Sequence, residues 1–360
     1  MSLSILQGTL CNSLFYLITD NSRAMKRIFQ ILFWAALLTS CNNLLFDKDL
    51  SSTDPFVNFD YLWSEVDSKY AYFELKNVDW DSLREHYRKK IYSSMSEDSL
   101  FAVMGSMLNE LRDDHTNLVS PFNVSRYNAY LKGKDNFEYR IVKDIYLKGG
   151  EYTTESFRHG FLSTDNIGYI RYSSFMNMAG EGALDFMLDR YKKTKGLIID
   201  LRENTGGNFA NIPRILSRFI TVKTLVMYNR TRNGKGRDDF GPFEPFYISP
   251  SSRIKYTNKP VVVLIDRGSY SASTFFALAT KAIQNITLIG DKTGGGGGLP
   301  NGGQLPNGWT YRFSISQSYD LNKISYSEDG VNPEIFSELN WWDLRKDEII
   351  ERAALYINSR

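Results

Sequence analysis

The residues able to do chemistry in this chain fall in four short stretches. Ser269-Tyr-Ser271-Ala-Ser273 follows the apolar run Val261–Ile265 and the turn Asp266-Arg267-Gly268, and leads into an alanine-rich, helix-favouring segment. A hydroxyl at such a strand-to-helix turn sits at the positive helix end, where backbone N–H groups can hold the oxyanion formed when it attacks a carbonyl. Plain helix capping would use the same serines. His115 lies in Leu111-Arg-Asp-Asp-His-Thr-Asn-Leu118, just past an apolar stripe, and shares the histidine complement of the chain only with His86 and His159. A lone His there also suits a helix C-terminus or a surface. Gly206-Gly207 follows the buried run Lys195–Arg202 and offers either bare amides for an anion or a simple helix-start hinge. Glu328 and Asp329 stand in the late turn Tyr326–Glu334. Nucleophile, base, carboxylate and amide donors are the kinds of group that acyl transfer through a serine needs.

The elements that must position these groups read as a parallel α/β core. Ile167–Phe175 alternates like a strand, Glu181–Tyr191 reads as a helix and Lys195–Arg202 as a buried strand. A helix over about Ala210–Phe219, the Val261–Ile265 strand, the helix after Ser271 and a strand at Ile286–Gly290 continue the rhythm. The ends of the strands before Gly206 and before Ser271 are expected to converge on one crevice. Before this core, Phe59, Leu62, Trp63, Val66 and Tyr70, then Leu100, Val103, Met104, Met107, Leu108 and Leu111, recur at helical spacing and predict a helical subdomain over 56–120, with Asp79 and Ser96 as caps. The core is expected over 121–360, with a strand at Val142–Leu147, a structural His159 and strand-like sequence over Gly308–Tyr319. A polar insertion at about 227–250 is expected over the crevice, and a terminal helix from about Trp342 to Ile357. The glycine run Gly294–Gly298 predicts either a flexible flap or close backbone approach to a ligand. It lacks the Gly-Lys-Ser/Thr ending of a phosphate loop.

At 360 residues, with 42% hydrophobic and 14% aromatic content, the chain can bury a large core. Residues 25–41 combine a basic start, an apolar run too short to span a bilayer comfortably, and small residues before Cys41. This resembles a bacterial lipoprotein signal peptide with the lipobox Leu38-Thr-Ser-Cys41. The resemblance implies a leader over 1–40, lipidation of Cys41, a tether over 41–55 and a place in the bacterial cell envelope, membrane-anchored through the lipid, at the outer membrane. Without residues 1–40 the acidic and basic residues balance, which argues against nucleic acid as a partner. The two cysteines are Cys11 and Cys41, so the segment after the leader has neither a thiol nucleophile nor a disulfide.

The chemical stretches, taken together, resemble peptidase family S41, which holds the carboxy-terminal processing proteases and the tricorn protease core. The matching segments are Leu111-Arg-Asp-Asp-His-Thr116, Gly168-Tyr-Ile-Arg171, Asp200–Gly207, Val263–Ser273, Gly290–Gly295 and Gly330–Glu334, in the family's order. The resemblance implies a parallel-rich sheet with a βαβ core of the crotonase/ClpP kind. It makes Ser271 the nucleophile, with the amides of Ala272 and of Gly206 or Gly207 as the oxyanion hole. The processing proteases use a lysine base, but Gly296 occupies the matching position and Thr274 replaces the acidic residue that follows Ser-Ala-Ser. The resemblance then favours the tricorn-like arrangement, with His115 as base and Glu328 as its orienter. Asp329 is the alternative orienter, and Lys292 is the only nearby amine that could restore a dyad. No metal or organic cofactor is implied, and the segment that carries a PDZ domain in many relatives is too short here for one. The implied activity is a serine endopeptidase acting on short or unfolded polypeptides. The alternatives are an esterase or amidase using the same groups, and a non-catalytic peptide- or ligand-binding lipoprotein on the same fold.

Overall fold

The computed structural model describes residues 50–128, 133–162 and 166–360, so Cys41, the leader and most of the expected tether lie outside the described residues. Helix α1 (Pro55–Lys69) starts at Asp54, whose carboxylate accepts from the Phe56 and Val57 amides, and Pro55 takes the first position, where a missing N–H costs nothing. The short α2 (Phe73–Lys76) is followed by α3 (Trp80–Arg88), capped by Asp79, and α4 (Glu97–Asn109), capped by Ser96. Strands β1 (Asn117–Val119) and β2 (Val124–Arg126) come next, then α5 (Tyr139–Ile141) running on into one wide π turn, Val142–Tyr146.

The core continues with β3 (Tyr152–Thr154), β4 (Phe157–Phe161), β5 (Gly168–Tyr172), α6 (Glu181–Tyr191), β6 (Leu197–Asp200) and α7 (Asn211–Leu216). After these come β7 (Thr224–Thr231), β8 (Glu244–Ile248), β9 (Val261–Ile265), α8 (Ala272–Thr280) and β10 (Ile286–Gly290). The chain ends with β11 (Pro300–Gln304), β12 (Thr310–Ser314), β13 (Ser316–Tyr319), β14 (Ile335–Phe336) and α9 (Glu348–Asn358).

The main sheet has seven strands in the order β14-β10-β9-β6-β5-β4-β3. β14, β10, β9, β6 and β5 are parallel, and β4 and β3 are antiparallel. Both faces of its centre are covered, which is why the sequence there is a continuous apolar run. Val261, Val263 and Ile265 enter one core with α6, α7 and α8, while Val262 and Leu264 enter the other with α5 and α9. Register puts Asp200 beside Leu264, so the loops leaving β6 and β9 emerge side by side. That placement joins the Gly206 turn to the Ser271 turn.

The N-terminal helices share a third core with Trp309, Tyr311 and Phe313, because β1 pairs with β12 in a four-stranded antiparallel sheet of order β11-β12-β1-β2. Residues 52–360 form one compact unit, in which the N-terminal helices share their core with the late strands. Residues 227–250, expected as a polar insertion, carry most of the β7–β8 hairpin, which pairs with β13. Between β2 and β5 the described residues hold only α5, its π turn and the β3–β4 hairpin.

The strand expected at Val142–Leu147 is corrected to the π turn. Ile141, Val142, Tyr146 and Leu147 face the core at the five-residue spacing of that turn, and Tyr146 Oη donates to Glu351 at 2.6 Å and accepts from the Asp347 amide at 2.9 Å. The terminal helix begins at Glu348 rather than near Trp342, where Asp347 caps the Ile349 and Ile350 amides. Among the described residues no helix is long and apolar enough to cross a membrane.

Candidate active site

Ser271 occupies a strained elbow between β9 and α8, at φ 55° and ψ −114°, a backbone region that a side chain rarely tolerates. Its two neighbouring serines hold the elbow in place. Ser269 Oγ donates to the Leu201 carbonyl at 2.8 Å, and Ser273 Oγ donates to the Asn204 carbonyl at 2.7 Å. The Tyr270 amide also donates to Asn204, at 3.0 Å. The outer serines thus anchor the elbow to the loop after β6, while Ser271 makes no side-chain cap. The capping reading holds for neither the middle serine nor its role.

The hydroxyl of Ser271 lies 2.9 Å from His115 Nε2. The turn between α4 and β1 delivers this histidine, where Asp113 Oδ1 accepts the His115 amide at 2.9 Å. Its ring is buried against Tyr270, centroid to centroid 5.2 Å. Burial pushes the imidazole down to about 4; Asp113 opposes that shift and Arg312 adds to it. The ring is therefore neutral at pH 7, and the tautomer with hydrogen on Nδ1 leaves Nε2 free to accept the serine proton. Nδ1 faces Ser314 Oγ at the end of β12, at 3.4 Å.

The oxyanion donors are also in reach. Ala272 is the first residue of α8, so its amide has no acceptor within the helix. Gly206 lies directly beside it: a Cβ on Gly206, whose φ is 94°, would stand 2.8 Å from the Ala272 nitrogen and from Ser271 Cβ. The Gly206 amide is already donated to Asn204 Oδ1 at 3.0 Å, which makes Gly207 the better second donor. Gly207 pairs in a bridge with Phe175, and Met176 beside it is 76% exposed, an apolar rim next to the nucleophile.

Glu328 does not reach the imidazole as its expected orienter. Lys76 of α2 pairs with Oε1, Glu328 Oε2 has no hydrogen-bond partner among the described residues, and it is Ser314 that faces Nδ1. Asp329, the alternative, points to solvent. The turn nevertheless abuts the elbow, since Gly295 packs on the Glu328 carbonyl and accepts the Ser271 amide at 3.0 Å. A lysine at position 296, where the processing proteases carry their base, is sterically closed: a Cβ at Gly296 would fall 2.4 Å from the Tyr270 ring. The glycine run, with Gly295–Gly298 buried, is a close-packed passage of backbone rather than a flap. His159 is structural as expected, with Nδ1 2.6 Å from Tyr191 Oη. Sequence reasoning missed Ser314 and Lys76, which carry no local motif. It quoted Asp113 without a role, although its spacing two residues before His115 is that of an amide-capping turn.

A serine on a strained elbow, in contact with a buried imidazole and beside amides at a helix start on a parallel α/β sheet, brings together the groups that acyl transfer through a serine requires. The chain belongs to peptidase family S41. The family's profile matches residues 166–337, and that of the tricorn protease C1 domain matches residues 53–109. A crystal structure described as that of a candidate peptidase from Parabacteroides merdae ATCC 43184 is 38% identical, with a TM-score of 0.79, and covers 85% of this chain and 97% of that one. The carboxy-terminal processing protease CtpA of Bacillus subtilis is 24% identical over 61% of this chain and 47% of its own length. The carboxyl-terminal-processing protease of Synechocystis is 30% identical over 46% of this chain and 38% of its own length. The chain thus spans less than half the length of these two curated relatives.

Proposed function

We propose that this chain is a serine endopeptidase that cleaves peptide bonds of short or unfolded polypeptides, lipid-anchored through Cys41 in the bacterial cell envelope. The observation that carries the catalytic part is the 2.9 Å contact between Ser271 Oγ and His115 Nε2 on the strained elbow. As the Oγ–C bond forms with the substrate carbonyl, the hydroxyl proton passes to Nε2. The negative oxygen then faces the Ala272 and Gly207 amides. Collapse breaks the C–N bond, with the proton given to the leaving amine, and water releases the acyl group by the reverse path. Met176 and Met178, 76% and 66% exposed, offer apolar contact to a substrate laid beside Gly207. Support for the anchor is the lipobox pattern ending at Cys41.

A fluorophosphonate probe tests the site. Wild-type chain should be labelled at Ser271, Ser271→Ala should not be labelled, and His115→Ala should lose labelling by roughly a thousandfold at neutral pH. An unlabelled wild type, or undiminished labelling of His115→Ala, would overturn the assignment. Hydrolysis of fluorescent casein in preference to simple esters separates a peptidase from an esterase.

A further inference from the structure

We propose that Lys76 is a positioning residue for this reaction: it clasps Glu328 to the turn that carries His115 and supplies the counter-charge that allows the carboxylate to ionise there. The proposal rests on the serine-hydrolase reading of the site. Lys76 ends α2, far in sequence from both turns. Its Nζ pairs with Glu328 Oε1 and donates to the Arg112 carbonyl at 2.7 Å, while the Arg112 guanidinium returns a hydrogen bond to the Lys76 carbonyl. Arg112 stands at φ 52°, three residues before His115. One ammonium therefore joins α2, the histidine turn and the glutamate turn. The glutamate turn in turn meets the nucleophile through Gly295, which takes the Ser271 amide.

The charges around Glu328 explain why a cation is needed. Asp113 and Asp114 face it from the histidine turn, Tyr70 and Tyr72 from the segment after α1, and Tyr270 from the elbow. Asp113 Oδ2 and Glu328 Oε2 are both buried without a hydrogen-bond partner among the described residues. Two such carboxylates in one pocket would share a single negative charge unless a cation intervened. Burial, then Asp113, raise the Glu328 carboxyl and Lys76 lowers it, with the balance at about 8. This is not a surface pair of little consequence, since the side chains are 12% and 24% exposed. Ionised Glu328 favours the imidazolium that forms when His115 takes the serine proton. Neutral Glu328 does not.

The test is the rate of Ser271 labelling by a fluorophosphonate between about pH 6 and pH 10, a range that spans the Glu328 ionisation. It is measured for wild type, Lys76→Met, Lys76→Gln, Lys76→Arg, Glu328→Gln and the Lys76→Met/Glu328→Gln pair. The wild-type rate should climb through the Glu328 ionisation. Lys76→Met should move that climb upward by about one pH unit, lowering the rate at pH 7 about tenfold while converging on wild type at the alkaline end. Lys76→Gln keeps a polar group for the Arg112 carbonyl but no charge, and should behave as Lys76→Met. Lys76→Arg should restore the wild-type profile. Glu328→Gln should abolish the climb, and adding Lys76→Met to it should change nothing further. A Lys76→Met or Lys76→Gln profile that overlies wild type, or falls in parallel at every pH, overturns the proposal. If Lys76→Met does not fold, Lys76→Gln decides. Wild type that is not labelled, or is still labelled as Ser271→Ala, sinks the hydrolase reading itself and is told apart by that control.

Discussion

Two of the buried charge clusters in this molecule, one around Arg202 and one around Lys76, are built to opposite rules. In the first, Arg202 is fully buried between Asp200 at the end of β6 and Asp347 at the start of α9. Its Nη2 donates to Asp200 Oδ2 at 2.6 Å, and its Nη1 to Asp347 Oδ2 at 2.8 Å and to the Asn136 carbonyl at 2.9 Å. Tyr169 Oη donates to Asp200 Oδ2 at 2.7 Å, and Asp347 Oδ1 caps the Ile349 amide at 3.0 Å. Each carboxylate oxygen has a donor. In the second cluster, around Lys76, Asp113 and Glu328, one oxygen of each carboxylate has none among the described residues. A satisfied network fixes two elements in one arrangement; an unsatisfied one keeps a charge poised to change. The first cluster stands beneath the sheet ends and holds them, and the second stands beside the imidazole.

The contrast is broken most severely from the structural side. Arg202→Met removes the cation and leaves Asp200 and Asp347 buried without it, so unfolding stability should drop by about 3–5 kcal/mol. Denaturant titration measures this. A loss no larger than that of a surface substitution would mean that the cluster does not hold β6 to α9. Lowered Asp200 agrees with this expectation, since the two arginines beside it outweigh its burial.

The second cluster should respond in the opposite sense. Glu328 is pushed up to about 8, above the value of an unfolded glutamate, so the folded state binds its proton more tightly. Stability from this group is therefore present at low pH and is lost as pH rises from the unfolded value through about 8. Glu328→Gln should be indistinguishable from wild type in mild acid and more stable than it at pH 9, by on the order of 1–2 kcal/mol once its partial exposure is allowed for. Melting curves at the two pH values check this, and equal melting of both chains at pH 9 would place Glu328 with the structural cluster.

What could be read from the sequence divides along the same line. The βαβ rhythm, the buried Val261–Ile265 strand, the Ser271 elbow and the paired glycines are local patterns, fixed by periodicity and turn chemistry within a few residues. His115 stood on a short list of three histidines, and its role as base was legible only through the resemblance of its Asp-Asp-His-Thr segment to family S41. Val142–Leu147 misled because β-branched residues in a short apolar run suit a strand as well as one wide turn. Lys76 and Ser314 were invisible for a different reason. Nothing in a four-residue helix or at a strand end shows that three remote turns converge there. Glu328 was assigned to the right pocket and the wrong contact, because a motif gives a residue's neighbourhood but not which of its neighbours claims the carboxylate.

Ser314 gives the smallest effect and the sharpest test of how the imidazole is held. With no carboxylate on Nδ1, the ring's orientation rests on Ser314 Oγ at 3.4 Å, on the Tyr270 face and on the Asp113 bond to the backbone. At that length the Ser314 hydrogen bond is worth about 0.5–1 kcal/mol, so Ser314→Ala should lower kcat two- to fivefold with KM unchanged. The Nδ1 hydrogen would still be present, and the loss should be the same at every pH between the His115 and Glu328 ionisations. A hundredfold loss would mean that Ser314 carries the orienting role alone. No loss at all would mean that packing against Tyr270 suffices, and Tyr270→Leu would then be the substitution that misaligns the ring.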